Sequence, residues 1–369
     1  MKLKYLLSTV LIITLTGRIS AQLESSYPSS ALVYKVLLDD PSQSNKFWLH
    51  LQPVTVDGMS MNAAVGSGLE TQWISPFKGL ELRASIRGNF LNAMDLQRRA
   101  AATGSVFLQT SKYDDLKNPI NDNFKRFLNW EIGAFYPVLE YKKDGHADIS
   151  FTNGANAQTE TIEVNAKVIR SVGARLGFNS MSTTVSLNNA LEDQNIELTG
   201  SLGNRLTPKG ATIGSAFTTE DGKNNLFTSF SSGGIYAGIG LQRKKNLSIK
   251  TENHGIVSNN SILTMYADLN VNPWTSLTPF SYTRSGTGVK EEFAVDKIKT
   301  SKLGFRTGFE IRFNEAAFIS AGGEIGYRPS IQGQGFYAAI KIGIPVFSFG
   351  NQTDAKPSTN VGEGQSISK

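Results

Sequence analysis

The chain has 369 residues, no cysteine, 35 glycines and 18% charged residues, with a formal net charge of +6. The missing cysteine excludes a disulfide framework, a thiolate metal site, a cysteine nucleophile and acylation at a lipoprotein cysteine. The charge content is below the roughly 25% of an ordinary soluble domain, which points to a β-rich chain with much neutral surface.

Residues 1–21 read as a secretory signal peptide. Lys2 and Lys4 form the basic start, "YLLSTVLIITL" (5–15) is the apolar segment, and "ISAQ" offers a cut after Ala21. Its removal takes away Lys2, Lys4 and Arg18 and lowers the net charge to +3, so the basicity gives no support to nucleic-acid binding. No later run approaches the ~18 consecutive apolar residues of a spanning helix. A membrane crossing would therefore have to use strands.

Strand-like alternation begins at 31–39, 46–56 and 63–75. It is clearest at "GLELRASIRGNF" (79–90), where Leu80, Leu82, Ala84, Ile86 and Phe90 alternate with Glu81, Arg83, Ser85, Arg87 and Asn89. A weakly helical stretch at 91–102 opens a long polar segment, 91–126. Strands are then expected at 127–141, 147–152, 161–178, 182–188, 196–202 and 211–218, with a polar loop at 203–227. "GIYAGIGLQ" (234–242) and "SILTMYADLNV" (261–271) alternate cleanly, and a third long loop covers 273–300. "LGFRTGFEIRF" (303–313) places Leu303, Phe305, Phe309, Ile311 and Phe313 on one face and Arg306, Glu310 and Arg312 on the other. Strands at 317–328 and 336–347 follow, and 350–369 has the composition of a disordered tail.

Eleven residues at about 3.3 Å each span roughly 36 Å, which near a 45° tilt covers about 25 Å, the apolar height of an outer-membrane barrel. Glycines fall on the polar faces, where they relieve crowding inside a closed wall. Trp48, Trp73, Trp274, Tyr327, Phe347 and Phe349 lie near strand ends, as an interfacial aromatic girdle requires. These features predict an all-β fold: a transmembrane, antiparallel, up-and-down β-barrel of about 12 strands (10–14 by the segments above) over residues 22–349.

"VIRSVGARLGF" (168–178), "GGIYAGIGLQRKKN" (233–246), "LTMYADLNVNPW" (263–274) and "FYAAIKIGIPVFSFG" (336–350) resemble outer-membrane β-barrel proteins of the Bacteroidetes type. The resemblance implies the cell outer membrane of a Gram-negative organism, with its lipid and the barrel-assembly machinery as partners. It says little of a substrate.

The sequence offers little chemistry. His50, His146 and His254 show no metal-ligand spacing, and no GxSxG elbow occurs. No catalytic, cofactor-binding or metal-binding residue is expected, and no enzyme. The residues expected to line the lumen are Glu81, Arg83, Arg87, Lys302, Arg306, Glu310, Arg312, Glu324 and Arg328, joined by Glu131, Asp268 and Lys341. "LQRKKN" (241–246) is a basic run at a strand end. The expected function is a porin-like passive channel for small solutes. The alternative is a structural or secretion-accessory barrel that binds another envelope protein through its long loops. An open lumen would favour the channel and a packed one the accessory barrel.

Overall fold

The computed structural model describes residues 32–43, 47–75, 77, 79–94, 96, 127–152, 159–203, 205–207, 210–211, 227–251, 255–283, 289–313, 320–349 and 361–364. The expected signal peptide lies outside the described residues, as do most of the 91–102 helical stretch and of the 91–126 and 203–227 loops. So does the expected tail, except for 361–364.

The strands are β1 (Leu32–Asp39), β2 (Phe47–Met59), β3 (Ala63–Ile74), β4 (Glu81–Asn92), β5 (Leu128–Thr152), β6 (Thr159–Ser186), β7 (Leu198–Thr199), β8 (Arg205–Thr207), β9 (Gly210–Ala211), β10 (Phe227–Thr251), β11 (Gly255–Leu277), β12 (Phe280–Thr283), β13 (Lys290–Phe293), β14 (Leu303–Phe313), β15 (Ser320–Tyr327), β16 (Phe336–Phe349) and β17 (Val361–Gly364). A short helix, Asn188–Gln194, follows β6.

Ten of these strands close into an antiparallel ring in the order β2-β3-β4-β5-β6-β10-β11-β14-β15-β16, with β16 pairing back onto β2. The register shows how it closes. From Phe349 the pairing runs through Phe47, Trp73, Leu82, Ala134, Leu176, Ala237, Leu269, Phe305 and Tyr327 to Phe336, thirteen residues back on the starting strand. A slide of about 43 Å around ten strands spaced about 4.8 Å apart corresponds to a tilt of about 42°, within the range of closed barrels. Closure pairs every ring strand on both sides and leaves no free edge within it.

The expected barrel is therefore present, with ten strands in the ring rather than about twelve. Segments that read as separate strands are pieces of longer ones: 147–152 belongs to β5 (25 residues) and 182–188 largely to β6 (28 residues). Alternation weakens inside these strands because the barrel wall gives way to a different environment partway along. The 31–39 strand sits outside the ring as β1, and the 196–202 piece shrinks to β7, which pairs with β8.

The two rims differ. At one rim few residues separate successive ring strands (75–80, 153–158, 252–254 and 314–319), and the first and last ring strands begin and end there at Phe47 and Phe349. We call this the terminal rim. Beyond it β5 and β6 continue as one ribbon, and β10 and β11 as another. β1 pairs with β10 from Tyr34↔Thr251 to Asp39↔Leu247, the side that β6 holds nearer the ring. β17 adds to β1 through Lys35↔Val361. The ribbons bury Tyr34, Ala147, Ile149, Val164, Ala166, Leu247 and Ile249 in a small core of their own. At the opposite rim the segment expected as a free loop, 273–300, is not free. Its first residues extend β11, and Phe293, Val295 and Ile298 then pack with Leu187, Leu191, Leu198 and Phe230 in an apolar cluster across the barrel mouth.

The ring is apolar outside and polar inside. Leu51, Leu69, Ile86, Ile132, Leu176, Ile239, Leu269, Phe305, Phe309 and Ile325 are exposed on its outer face, while Arg306, Glu310, Arg312, Glu70 and Asp268 are buried. This inverts a soluble barrel. Of the expected girdle residues, Trp73, Trp274 and Phe347 are exposed. Trp48 is buried with Ile74 and Ile262, and Trp130 takes an outward place instead. Trp130, Ser180, Gly233 and Trp274 are successive cross-strand partners, which puts two tryptophans in one row near the lidded rim.

Candidate functional site: the packed lumen

Each ring strand contributes inward residues at every second position, so side chains distant in sequence converge inside. Eight bases (Arg83, Arg87, Arg175, Lys244, Arg306, Arg312, Arg328 and Lys341) meet seven acids (Asp57, Glu70, Glu81, Glu131, Asp268, Glu310 and Glu324), and every one of the fifteen has an ion-pair partner. The lumen is thus nearly neutral. Eight bases against seven acids leave a net excess of one positive charge.

Towards the terminal rim, Glu70 and Glu310 share three cations. Lys341 Nζ donates to Glu70 Oε2 at 2.7 Å and lies 2.9 Å from Glu310 Oε1. Arg312 donates from Nε to Glu310 Oε1 at 2.8 Å, and its two other nitrogens reach Gln72 and Glu70. Arg83 closes the set on Glu310. Lys244 pairs with Glu81 at 2.6 Å, and Gln242 donates to the same carboxylate at 2.9 Å. Two carboxylates this close are tolerable only because the interleaved cations neutralise them.

Towards the lidded rim, Asp268 on β11 is held by two arginines: Arg306 from the adjacent β14, Nε at 2.9 Å, and Arg175 from β6, on the far side of β10, Nε at 2.9 Å. Arg306 also forks onto Glu131. Arg328 donates to Glu324 at 2.7 Å and to Asp57 at 3.3 Å, and Arg87 lies within 3.7 Å of the same two acids. The guanidinium carbons lie over tyrosine rings: Arg175 over Tyr266 at 4.1 Å, Arg306 over Tyr236 at 4.3 Å and Arg328 over Tyr337 at 3.7 Å. Stacking of this kind suits the planar, weakly hydrated guanidinium.

Inward glycines make the stacking possible. A Cβ at Gly177 would lie 2.6 Å from Tyr236 Cζ, and one at Gly308 would lie 2.7 Å from Tyr266 Cζ. The rings lie across the wall where no side chain stands. This is the use foreseen for glycine on the polar faces.

All but one of the expected lumen residues fall in this network. Lys302 does not. It precedes β14 and is exposed, because inward alternation starts only once β14 pairs with β11 at Leu303. Sequence reasoning missed Asp57, Glu70, Arg175 and Lys244, and it did not assign the three tyrosines to the lumen. Asp57 and Glu70 lie in less regular strands, Arg175 lies within the expected 161–178 strand, and Lys244 becomes legible from alternation once β10 is extended past 242. His50 faces inward opposite Glu70 on β3. His146 is exposed on the β5 extension, 3.3 Å from Glu163, and His254 lies outside the described residues. Among the described residues no group of three or more histidines and carboxylates is arranged to hold a metal ion.

Two cavities of about 40 and 30 Å³ lie among these side chains, one bordered by Glu70, Arg83, Arg87 and Lys341, the other by Asn129, Asn179, Asn270 and Arg306. Each holds a few waters at ~10–15 Å³ per water centre. The arrangement is a cross-braced interior, suited to holding ten strands together.

No protein-family model and no curated protein matches the chain. The class defined by fold and site is a closed ten-stranded antiparallel β-barrel with an apolar exterior and an ion-paired, tightly filled interior.

Proposed function

We propose that this chain is a non-conducting β-barrel of a Gram-negative outer membrane, structural or accessory in role, of the kind its sequence resembles among Bacteroidetes barrels. The observation that carries the reading is the packed lumen, in which all fifteen charged groups described above are paired and, among the described residues, two cavities between them have room for a few waters each. A porin-like channel for small solutes needs a continuous water-filled path through the barrel. The apolar exterior supports residence in lipid, since exposed leucine, isoleucine and phenylalanine over the whole outer face would drive association in water.

The accessory role has a natural vehicle in the two ribbons beyond the terminal rim. The β5 extension pairs with β6, and past Phe135 it has no strand of the ring on its other side. Such an edge can take an added strand from a partner chain, and it is protected from indiscriminate pairing by Pro137, the adjacent bulge, Lys142 and Lys143. Another envelope protein is the partner class proposed.

The test is planar-bilayer recording of purified protein whose folding is verified by heat-modifiable gel migration. The expected result is folded protein with no steady conductance. Stable, salt-dependent single-channel steps would restore the porin-like reading.

A further inference from the structure

Arg170 on β6 and Arg243 on β10 are directly opposite cross-strand partners. Both face outward. They stand where the apolar runs of their strands stop, after Phe178 and Leu176 on β6 and after Ile239 and Leu241 on β10. Like charges directly opposite on paired strands destabilise a sheet unless something neutralises them. Among the described residues no counter-charge is supplied. In the same cross-strand row stand Tyr141 and Leu263. Glu140 follows the inward register and accepts from Ser171 Oγ at 3.3 Å, and Asp40 lies 3.7 Å from Lys142. Among the described residues neither arginine has a carboxylate partner. Arg243 Nε is shielded from solvent and has no hydrogen-bond acceptor.

The height of this row is informative. Arg170 and Arg243 lie ten residues along β6 and β10 from Ser180 and Gly233, the row flanked by Trp130 and Trp274. Ten residues are about 33 Å of strand and about 25 Å of barrel axis at the tilt derived above, matching an outer-membrane apolar belt. The tryptophan row and the arginine row therefore mark its two borders. Just outside such a border lie lipid phosphates.

We propose that Arg170 and Arg243 jointly bind the headgroup phosphate of a phospholipid in the leaflet at the terminal rim. The planar guanidinium fork matches phosphate oxygens, and one anion between the two arginines removes their repulsion. Tyr141 places an amphipathic ring at the same level. The proposal rests on the membrane reading above.

The experiment uses the full chain folded in a neutral detergent, with native mass spectrometry to count retained lipid. Palmitoyl-oleoyl phosphatidylglycerol is compared with the diacylglycerol of the same chains, and inorganic phosphate is added as competitor. We expect selective retention of phosphatidylglycerol, weakened about ten- to thirty-fold by R170Q/R243Q and unchanged by K167Q. R243K, which keeps the charge but loses the fork, should fall between and stands in if the double variant does not fold. Equal retention by R170Q/R243Q, or of diacylglycerol, would overturn the site. Displacement by equimolar inorganic phosphate would make it a small-anion site and overturn the lipid assignment. A protein that stays monodisperse without detergent removes the membrane reading itself. One that needs detergent yet ignores the lipid phosphate removes only this inference.

Discussion

Arg306 reaches from β14 across the lumen to Glu131 on β5 with two parallel hydrogen bonds, Nη1 to Oε2 at 2.7 Å and Nη2 to Oε1 at 2.8 Å. Its Nε holds Asp268 at 2.9 Å, so one guanidinium ties three strands. Removing one partner leaves a charge in a confined interior. Arg306→Met should cost about 3–5 kcal/mol, and Arg306→Met with Glu131→Gln less than the two single losses together. Urea titration of the micelle-folded protein, followed by tryptophan fluorescence, gives the cycle. Additive single losses would show that the pair is not coupled.

The glycines under Tyr236 and Tyr266 should be as important as the tyrosines. Gly177→Ala pushes a methyl against the Tyr236 ring and the Ile132 carbonyl, at a cost of about 1–3 kcal/mol. The near-ultraviolet circular dichroism of the tyrosines should change with it. A variant with an unaltered spectrum and unfolding midpoint would mean that the wall yields freely at this point.

Ile239 stands about midway between the tryptophan and arginine rows and is exposed on the outer face. Ile239→Arg should cost about 2–4 kcal/mol for folding into lipid vesicles, the midplane value for a barrel surface. The same change at the border, Leu263→Arg, should cost about 1 kcal/mol or less. Equal effects at the two sites in vesicle-folding yields would argue against a membrane belt of this height.

Phe293 is fully buried in the apolar cluster over the barrel mouth. Phe293→Ala should destabilise the lid by about 3–5 kcal/mol without opening a conducting path, because the charged network beneath remains. Limited proteolysis should cut the 278–302 segment faster, while bilayer recordings stay silent. Conductance in this variant would show that the lid alone seals the barrel.

Much of this protein is legible from the sequence because a strand's side-chain period of two makes facing a local property. The run 303–313 declares which residues face outward and which face in, and Phe305, Arg306, Phe309, Glu310 and Arg312 occupy those faces in the fold. Antiparallel closure follows from many such strands joined by short turns at one rim. Ring size, partner choice and occlusion are different in kind. They depend on the thirteen-residue slide accumulated over ten registers, which no single strand encodes. Several of those registers together decide that Arg306 meets Glu131, 175 positions away, while the single β6–β10 register lays Tyr236 over Gly177. The same β6–β10 register sets Arg170 opposite Arg243. A period-two pattern sets the face of each residue, and the closed sheet sets its neighbour.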